Sequence, residues 1–301
     1  MLFDHAKMTS TLGTFMALDT LFGELRSLLS RKTFDHASRD ILIDLVQAAT
    51  RQDLEGYRQK WLPYIQGQRI DWPTPFATLR DPETLSLWAE MLPFATFALD
   101  LQRSEVSWDQ RARGDGEHPF GLPMAQIVDL RLDSCSTNTR TLTMLFNATG
   151  MRHVRELSFD ALRFDPRSGF TLELEKFEAL CSARYLTNLE HLSLRRNNIH
   201  GNHVRSLTRS RAMHSLEALV MNDNALGNHG LRELVTSEQA TSLRVLALAA
   251  NNITDLTSLA TQATCTALES LSLDHNQIGA RGAEMLAPIW LWSSERLSSA
   301  V

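Results

Sequence analysis

Cysteine is nearly missing: Cys135, Cys181 and Cys265 are the only three in 301 residues, at no paired spacing. An odd, scattered set excludes a disulfide framework and a cysteine-based zinc site, and it suits reduced thiols. Lysine is also scarce, four against 26 arginines, an imbalance that a GC-rich coding background leaves and that points to a bacterial source. A dominant positive charge is absent too. The formal charge is −5, which argues against a general nucleic-acid binder. No uninterrupted apolar run reaches the roughly 18 residues of a membrane span. The most apolar stretch, "LSLWAEMLPFATFALDL", carries Glu90 and Pro93 in its middle. The opening "MLFDHAKMTSTL" lacks the basic start and apolar core of a signal peptide. The expectation is a cytoplasmic protein without membrane insertion.

Catalytic signatures are missing as well. No nucleophile elbow, H-E-x-x-H, Walker loop or dinucleotide fingerprint is present. "FDPRSGF" and "RGDGEHP" contain glycine, but neither follows a strand and opens a helix in the phosphate-binding manner. In "IHGNH", His200 and His203 have a spacing known from metal sites, yet no third ligand is implied and zinc needs three or four. Both read as surface histidines. The sequence therefore predicts no enzyme, no cofactor, no metal and no small-molecule substrate.

What is present is rhythm. "LEHLSLRRNNI" (189–199), "LEALVMNDNAL" (216–226), "LRVLALAANNI" (243–253) and "LESLSLDHNQI" (268–278) fit L-x-x-L-x-L-x-x-N-x-I/L without a gap. Their starts are 27, 27 and 25 residues apart. Self-similarity at such a period marks a repeat architecture. Weaker copies lie upstream: "IVDLRLDSCST" (127–137), with Cys135 at the asparagine position, and "VRELSFDALRF" (154–164), with Leu162 there. A first, irregular copy is read in "FATFALDLQ" (94–102), on Phe94, Phe97 and Leu99.

Between beats the pattern turns helical. Leu207, Leu234 and Leu286 each follow the last motif position by eight residues, and Gly230 and Gly282 read as helix starts. Each unit is thus a short strand, a turn and a helix; the shorter 25-residue unit has lost two residues between Ile253 and Leu259. In a Leu-x-Leu strand the leucines point one way and the intervening residues the other. One unit cannot bury its apolar side alone, so units stack. Cys135, Asn197, Asn224, Asn251 and Asn276 then form a buried ladder, tolerable only if hydrogen-bonded to backbone at the turns.

These residues resemble leucine-rich repeats of the ribonuclease-inhibitor-like class from about Ile127 to Leu286. The resemblance implies an α/β fold, a right-handed solenoid of about six to seven coils. The first third differs. Leu18, Leu21, Phe22, Leu25, Leu28 and Leu29 have the spacing of an amphipathic helix. A second helix starts near Asp35 or Ser38 and buries Ile41, Leu42, Leu45, Val46 and Ala49; a third presents Leu54, Tyr57, Trp61 and Ile65. "GQRIDWPTP" (67–75) breaks the pattern, and Asp81-Pro82 opens a helix that buries Leu85, Trp88 and Leu92. The division expected is a helical cap module, 1–92, and a solenoid, 93–301. The stretch 107–123 reads as an exposed loop, and Trp290 and Trp292 as a cover for the last leucines.

The outward strand positions line the concave face that the resemblance implies. Row by row they are Asp129, Arg131, Asp133; Glu156, Ser158, Asp160; His191, Ser193, Arg195; Ala218, Val220, Asn222; Val245, Ala247, Ala249; and Ser270, Ser272, Asp274. Val220, Val245, Ala247 and Ala249 make an apolar patch, with His191, Arg195, Arg196, Asn222, Asp223, Asp274 and His275 around it. Apolar patches among polar residues mark protein contacts. The expected function is a non-enzymatic scaffold that binds a partner protein on this face. Two alternatives follow from the resemblance and the leader: an activator-type regulator of a small GTPase, with Arg195 or Arg196 completing the partner's site, or a subunit docking through its N-terminal helices.

Overall fold

The computed structural model describes residues 17–30, 34–68, 74–80, 82–93, 95–101, 123–135, 139–161, 174–262, 264–280, 282 and 284–285. Leu162, Phe94, Asp81, Leu286, Trp290, Trp292 and most of the 107–123 stretch lie outside the described residues. Two compact units divide the sequence, Met1–Ala98 and Leu99–Val301.

In the first unit, α1 (Leu18–Leu29) buries Leu21, Phe22, Leu25, Leu28 and Leu29, the stripe its spacing dictates. α2 (His36–Gln52) begins where Asp35 accepts the Ser38 N–H, an N-cap that satisfies one of the free amides of the first turn. It buries Leu42, Leu45, Val46 and Ala49, but Ile41 is exposed and Ile43 takes an inward place. The stripe is centred slightly further along the helix than the leucine pattern suggested. α3 (Leu54–Gly56) is capped by Asp53 and runs through a π-helical turn, Tyr57–Trp61, into α4 (Leu62–Gln66). The extra residue in that turn aligns Tyr57, Trp61 and Ile65 inward at four-residue spacing and leaves Leu54 exposed, against expectation. The buried Tyr57 hydroxyl donates to the Met91 carbonyl at the end of α5 (Pro82–Met91). Leu85, Trp88 and Leu92 are buried there. A strand absent from the sequence reading, β1 (Ala77–Leu79), lies beside β2 (Phe97–Asp100), with Phe76 edge-on to Phe97.

The second unit opens on the last residues of β2 and continues through β3 (Ile127–Arg131), α6 (Thr139–Phe146), β4 (Glu156–Ser158), α7 (Leu174–Cys181), β5 (His191–Ser193), α8 (Gly201–Thr208), β6 (Ala218–Val220), α9 (Gly227–Val235), β7 (Val245–Ala247), α10 (Thr257–Gln262) and β8 (Ser270–Ser272). From β3 to β8 each strand pairs in parallel with the next. Leu130, Leu157, Leu192, Leu219, Leu246 and Leu271 stand in one row across the register, all buried. This alternation of strand and helix on a parallel sheet fits a solenoid. Three helices are joined to the next strand by a 3-10 turn, Thr149–His153, Arg211–Met213 and Glu238–Ser242, an element the helical periodicity did not reveal.

Two local readings are corrected by the coordinates. The helix after Leu226 starts at Gly227, whose φ of +59° suits glycine, and not at Gly230. Gly230 lies inside α9, where an added Cβ would come 2.9 Å from the Leu226 Cβ, so the position leaves room for that side chain. The first motif copy is also in a different register. At every later strand the sixth motif residue donates its N–H to the fifth residue of the next copy: Leu132 to Ser158, Phe159 to Ser193, Leu194 to Val220, Met221 to Ala247 and Leu248 to Ser272. Leu101 makes the same bond to Arg131 at 2.9 Å. Leu99 and Leu101 therefore occupy motif positions four and six, two residues later than the Phe97 and Leu99 of the sequence reading. The aromatic side chains hid the register, because Phe97 is buried although it falls at a different motif position.

Candidate binding face of the repeat sheet

Counting from its first leucine, each motif from 127 to 253 sends positions one, four and six into the core and position nine, where it is described, into the turn. In the last copy Leu271 is buried and Leu268 and Leu273 are half-buried. At position nine, the Asn224 amide carbonyl accepts from Asn197 N–H at 2.9 Å and Ile199 N–H at 3.0 Å, and its NH2 donates to Leu194 and Met221 carbonyls. Asn276 repeats the scheme, accepting from Asn251 and Ile253 N–H and donating to Leu248 and Leu273 carbonyls. Asn251 donates to Met221 and Ala249 carbonyls, and Asn197 to Phe159 carbonyl. Cys135 can only donate weakly, and its Sγ meets the Leu101 carbonyl at 2.6 Å. Position eight, just before this residue, is left-handed in every described copy: Ser134, Ala161, Arg196, Asp223, Ala250 and His275 have φ between 46° and 57°. None is glycine, so the sequence carried no sign of it.

Positions three and five point away from the core. The register sets Ala218 beside Val245 and Val220 beside Ala247, so the apolar patch is contiguous across β6 and β7. Val245 is exposed, at 37%. The patch is flanked by Ser193 on β5 and Ser272 on β8. His191 lies beside Ala218 and is exposed. Asp274 and His275 are exposed at the far side, where the Ser272 hydroxyl donates to Asp274. Arg196 Nε stands 3.5 Å from Asp223, both exposed, which makes a pair of little energetic weight.

At position seven a second ladder appears, unrecognised in the sequence. Asp133 Oδ1 accepts from the Ser158 hydroxyl and from Asp160 N–H at 2.7 Å. Asp160 Oδ1 accepts from the Ser193 hydroxyl and from Arg195 N–H, both at 2.7 Å. Asn222 Oδ1 accepts from Ala249 N–H at 2.9 Å. These acidic and amide side chains hold the scaffold rather than reach outward. The signal was available, because aspartate or asparagine recurs at one motif position in these three copies. Burial raises the Asp160 carboxyl above its usual range, with the bonds from Ser193 and the Arg195 amide opposing. Asp129 is buried beneath Arg131, which donates to it at 2.7 Å; burial raises that carboxyl also. Asp129, Asp133 and Asp160 thus have bonding partners within the sheet, whereas Glu156 of the same strands is exposed.

Among the described residues no three histidine, cysteine, aspartate or glutamate side chains are placed to hold a metal ion. Burial pushes the Cys181 thiol up to about 12 and the Cys265 thiol to about 11, so both stay protonated and poorly nucleophilic at neutral pH. His200 and His203 are stacked at the start of α8, where His203 Nδ1 accepts the His200 N–H. No described helix is long and apolar enough to cross a membrane.

The leucine-rich repeat family model matches residues 185–202 and 264–287. No curated protein matches the sequence. Among solved structures, TLR13 in the TLR13–ssRNA13 complex is similar at 19% identity over 66% of this protein and 31% of that one, with a TM-score of 0.33. An internalin (inlF) from Listeria monocytogenes is similar at 16% identity over 69% of this protein and 68% of its own length, with a TM-score of 0.31. The protein spans about a third of the TLR13 length, and at these scores neither neighbour bears on function. The two segments matched by the family model, in a stack of parallel Leu-x-Leu strands with buried Asn197, Asn224 and Asn251 at the turns, are similar to leucine-rich repeats.

Proposed function

We propose that this protein is a non-enzymatic scaffold that takes a partner protein on the concave face of a right-handed, ribonuclease-inhibitor-like solenoid of about six to seven coils. Residues 1–92 form a separate helical module and 93–301 the solenoid, in the cytoplasm of a bacterium. The observation that carries the reading is the contiguous apolar patch Ala218, Val220, Val245 and Ala247, set side by side by strand register with polar residues around it. Such a patch gains by desolvation against a partner. A scaffold whose strands are already fixed has little ordering cost to overcome. The GTPase-regulator alternative rests on the resemblance alone.

Val220→Glu with Val245→Glu tests this. Buried against a partner, two unpaired carboxylates cost several kcal/mol, on the order of a hundredfold or more in affinity. Affinity capture from the native extract should lose the wild-type partner while circular dichroism stays unchanged. Unchanged capture overturns the concave-face reading.

A further inference from the structure

The position-seven ladder is a series of caps, each side chain accepting the position-seven N–H of the next copy. It breaks wherever position seven offers no acceptor, at Arg195 and at Ala249. The amides that follow, Asn222 N–H and Asp274 N–H, have no hydrogen-bond partner among the described residues. The two gaps differ in charge. At the second, the exposed Asp274 carboxylate stands beside its own amide and repels an anion. At the first, the Arg195 guanidinium is half-exposed, 4.0 Å from Asp160 and without a side-chain hydrogen bond among the described residues. Places where a repeat breaks its own structural rule are where function is expected.

We propose that the gap between Arg195 and Asn222 binds a carboxylate of the partner, resting on the concave-face reading above. The ligand oxygen takes the place that Asp133, Asp160 and Asn222 side chains fill in their own copies. One carboxylate oxygen accepts from Asn222 N–H and the other from the guanidinium, a charge-assisted pair stronger than neutral bonds. Val220 lies on the strand just before Asn222, so the carboxylate would sit at the border of the apolar patch. The chemistry suits either the terminal carboxylate of a polypeptide or an aspartate or glutamate side chain, with an apolar residue next to it.

Amide NMR of the full-length protein reads the site directly. Three N-acetylated alanine peptides serve as probes: one with a free C-terminus, one amidated with a central glutamate, and one amidated and neutral. At least one acidic peptide should shift the Asn222 amide saturably, and whichever does identifies the carboxylate source. The neutral peptide should not. Arg195→Asp completes the ladder from within and removes the cation, so binding should weaken at least about tenfold. Its melting temperature should hold or rise, which separates loss of the site from loss of the fold. Arg195→Asn supplies the same cap without adding charge and should behave alike. The proposal falls if neither acidic peptide moves Asn222 beyond the neutral control, or if both variants bind as well as wild type. The peptide response needs no partner protein, so it can fail while capture by the apolar patch stands.

Discussion

At the residue scale the repeat rests on a few backbone demands. Asn251 is fully buried and its amide bridges the Met221 carbonyl of the preceding copy and the Ala249 carbonyl of its own. Removing it strands those groups, at about 1–3 kcal/mol for each unsatisfied partner. Asn251→Ala should therefore lower unfolding free energy by roughly 3 kcal/mol in urea titration. Asn251→Cys should lose less, because Cys135 already fills this position with a weak donor. A loss under about 0.5 kcal/mol for Asn251→Ala, the range of ordinary surface changes, would show the ladder to be dispensable. The left-handed residue beside it makes the opposite demand. Ala250 has φ of +53°, which is unfavourable for an L-residue by about 1–2 kcal/mol. Ala250→Gly should gain up to about 1 kcal/mol and Ala250→Val should lose stability, read as shifts in melting temperature. The asparagine is visible in the sequence as a candidate for burial. The conformation of its neighbour is not, because arginine, aspartate, alanine and histidine all occupy it.

At the element scale α8 is started by histidine. His203 Nδ1 accepts the His200 N–H at 3.0 Å, the place that glutamate or glutamine fills in a capping box. The acceptor must be unprotonated. Burial lowers the His203 pKa, the charge of His200 lowers it further, and Glu178 of α7 opposes; Phe177 of α7 covers the ring edge. A depressed imidazole contributes stability that is complete above the unfolded value near 6.5. That stability is lost as pH falls through the folded value, since the unfolded polypeptide takes up the proton first. The melting temperature should therefore drop between about pH 7 and about pH 5. His203→Gln, which keeps the acceptor and cannot titrate, should flatten that drop; an equally steep drop in the variant would place the sensitivity elsewhere. The pair that reads in the sequence as surface histidines opens a helix, with His203 half-buried. Only the placement of α7 against α8 decides how far its proton affinity moves.

At the scale of the whole molecule, each described strand from β3 to β7 pairs with the next copy's strand, so stability should be a sum of local and nearest-neighbour contributions. Leu219 and Leu246 pair across β6 and β7, whereas Leu192 and Leu271 are three strands apart. In double-mutant cycles of leucine to valine, the adjacent pair should show coupling of about 0.5 kcal/mol or more. The distant pair should add within about 0.5 kcal/mol. Equal coupling in both cycles would mean a core that responds as one body. The same one-dimensional logic places function across copies. No single motif holds the patch or the gap in the seventh-position ladder; each needs two strands in register.

What the sequence determines by itself is the repeat: leucines at fixed spacing have one way to leave water, and that forces strand, turn and helix in each copy. The tertiary structure alone decides where that rule bends. The copy at Leu101 is in register through backbone bonds rather than through side-chain type. Aspartates that read as a charged surface spend their oxygens on the next copy's amides. The reason is physical. Burial is a property of one residue type and can be read in one dimension, whereas a hydrogen bond needs a partner some 27 residues away whose direction is set only when the copies stack.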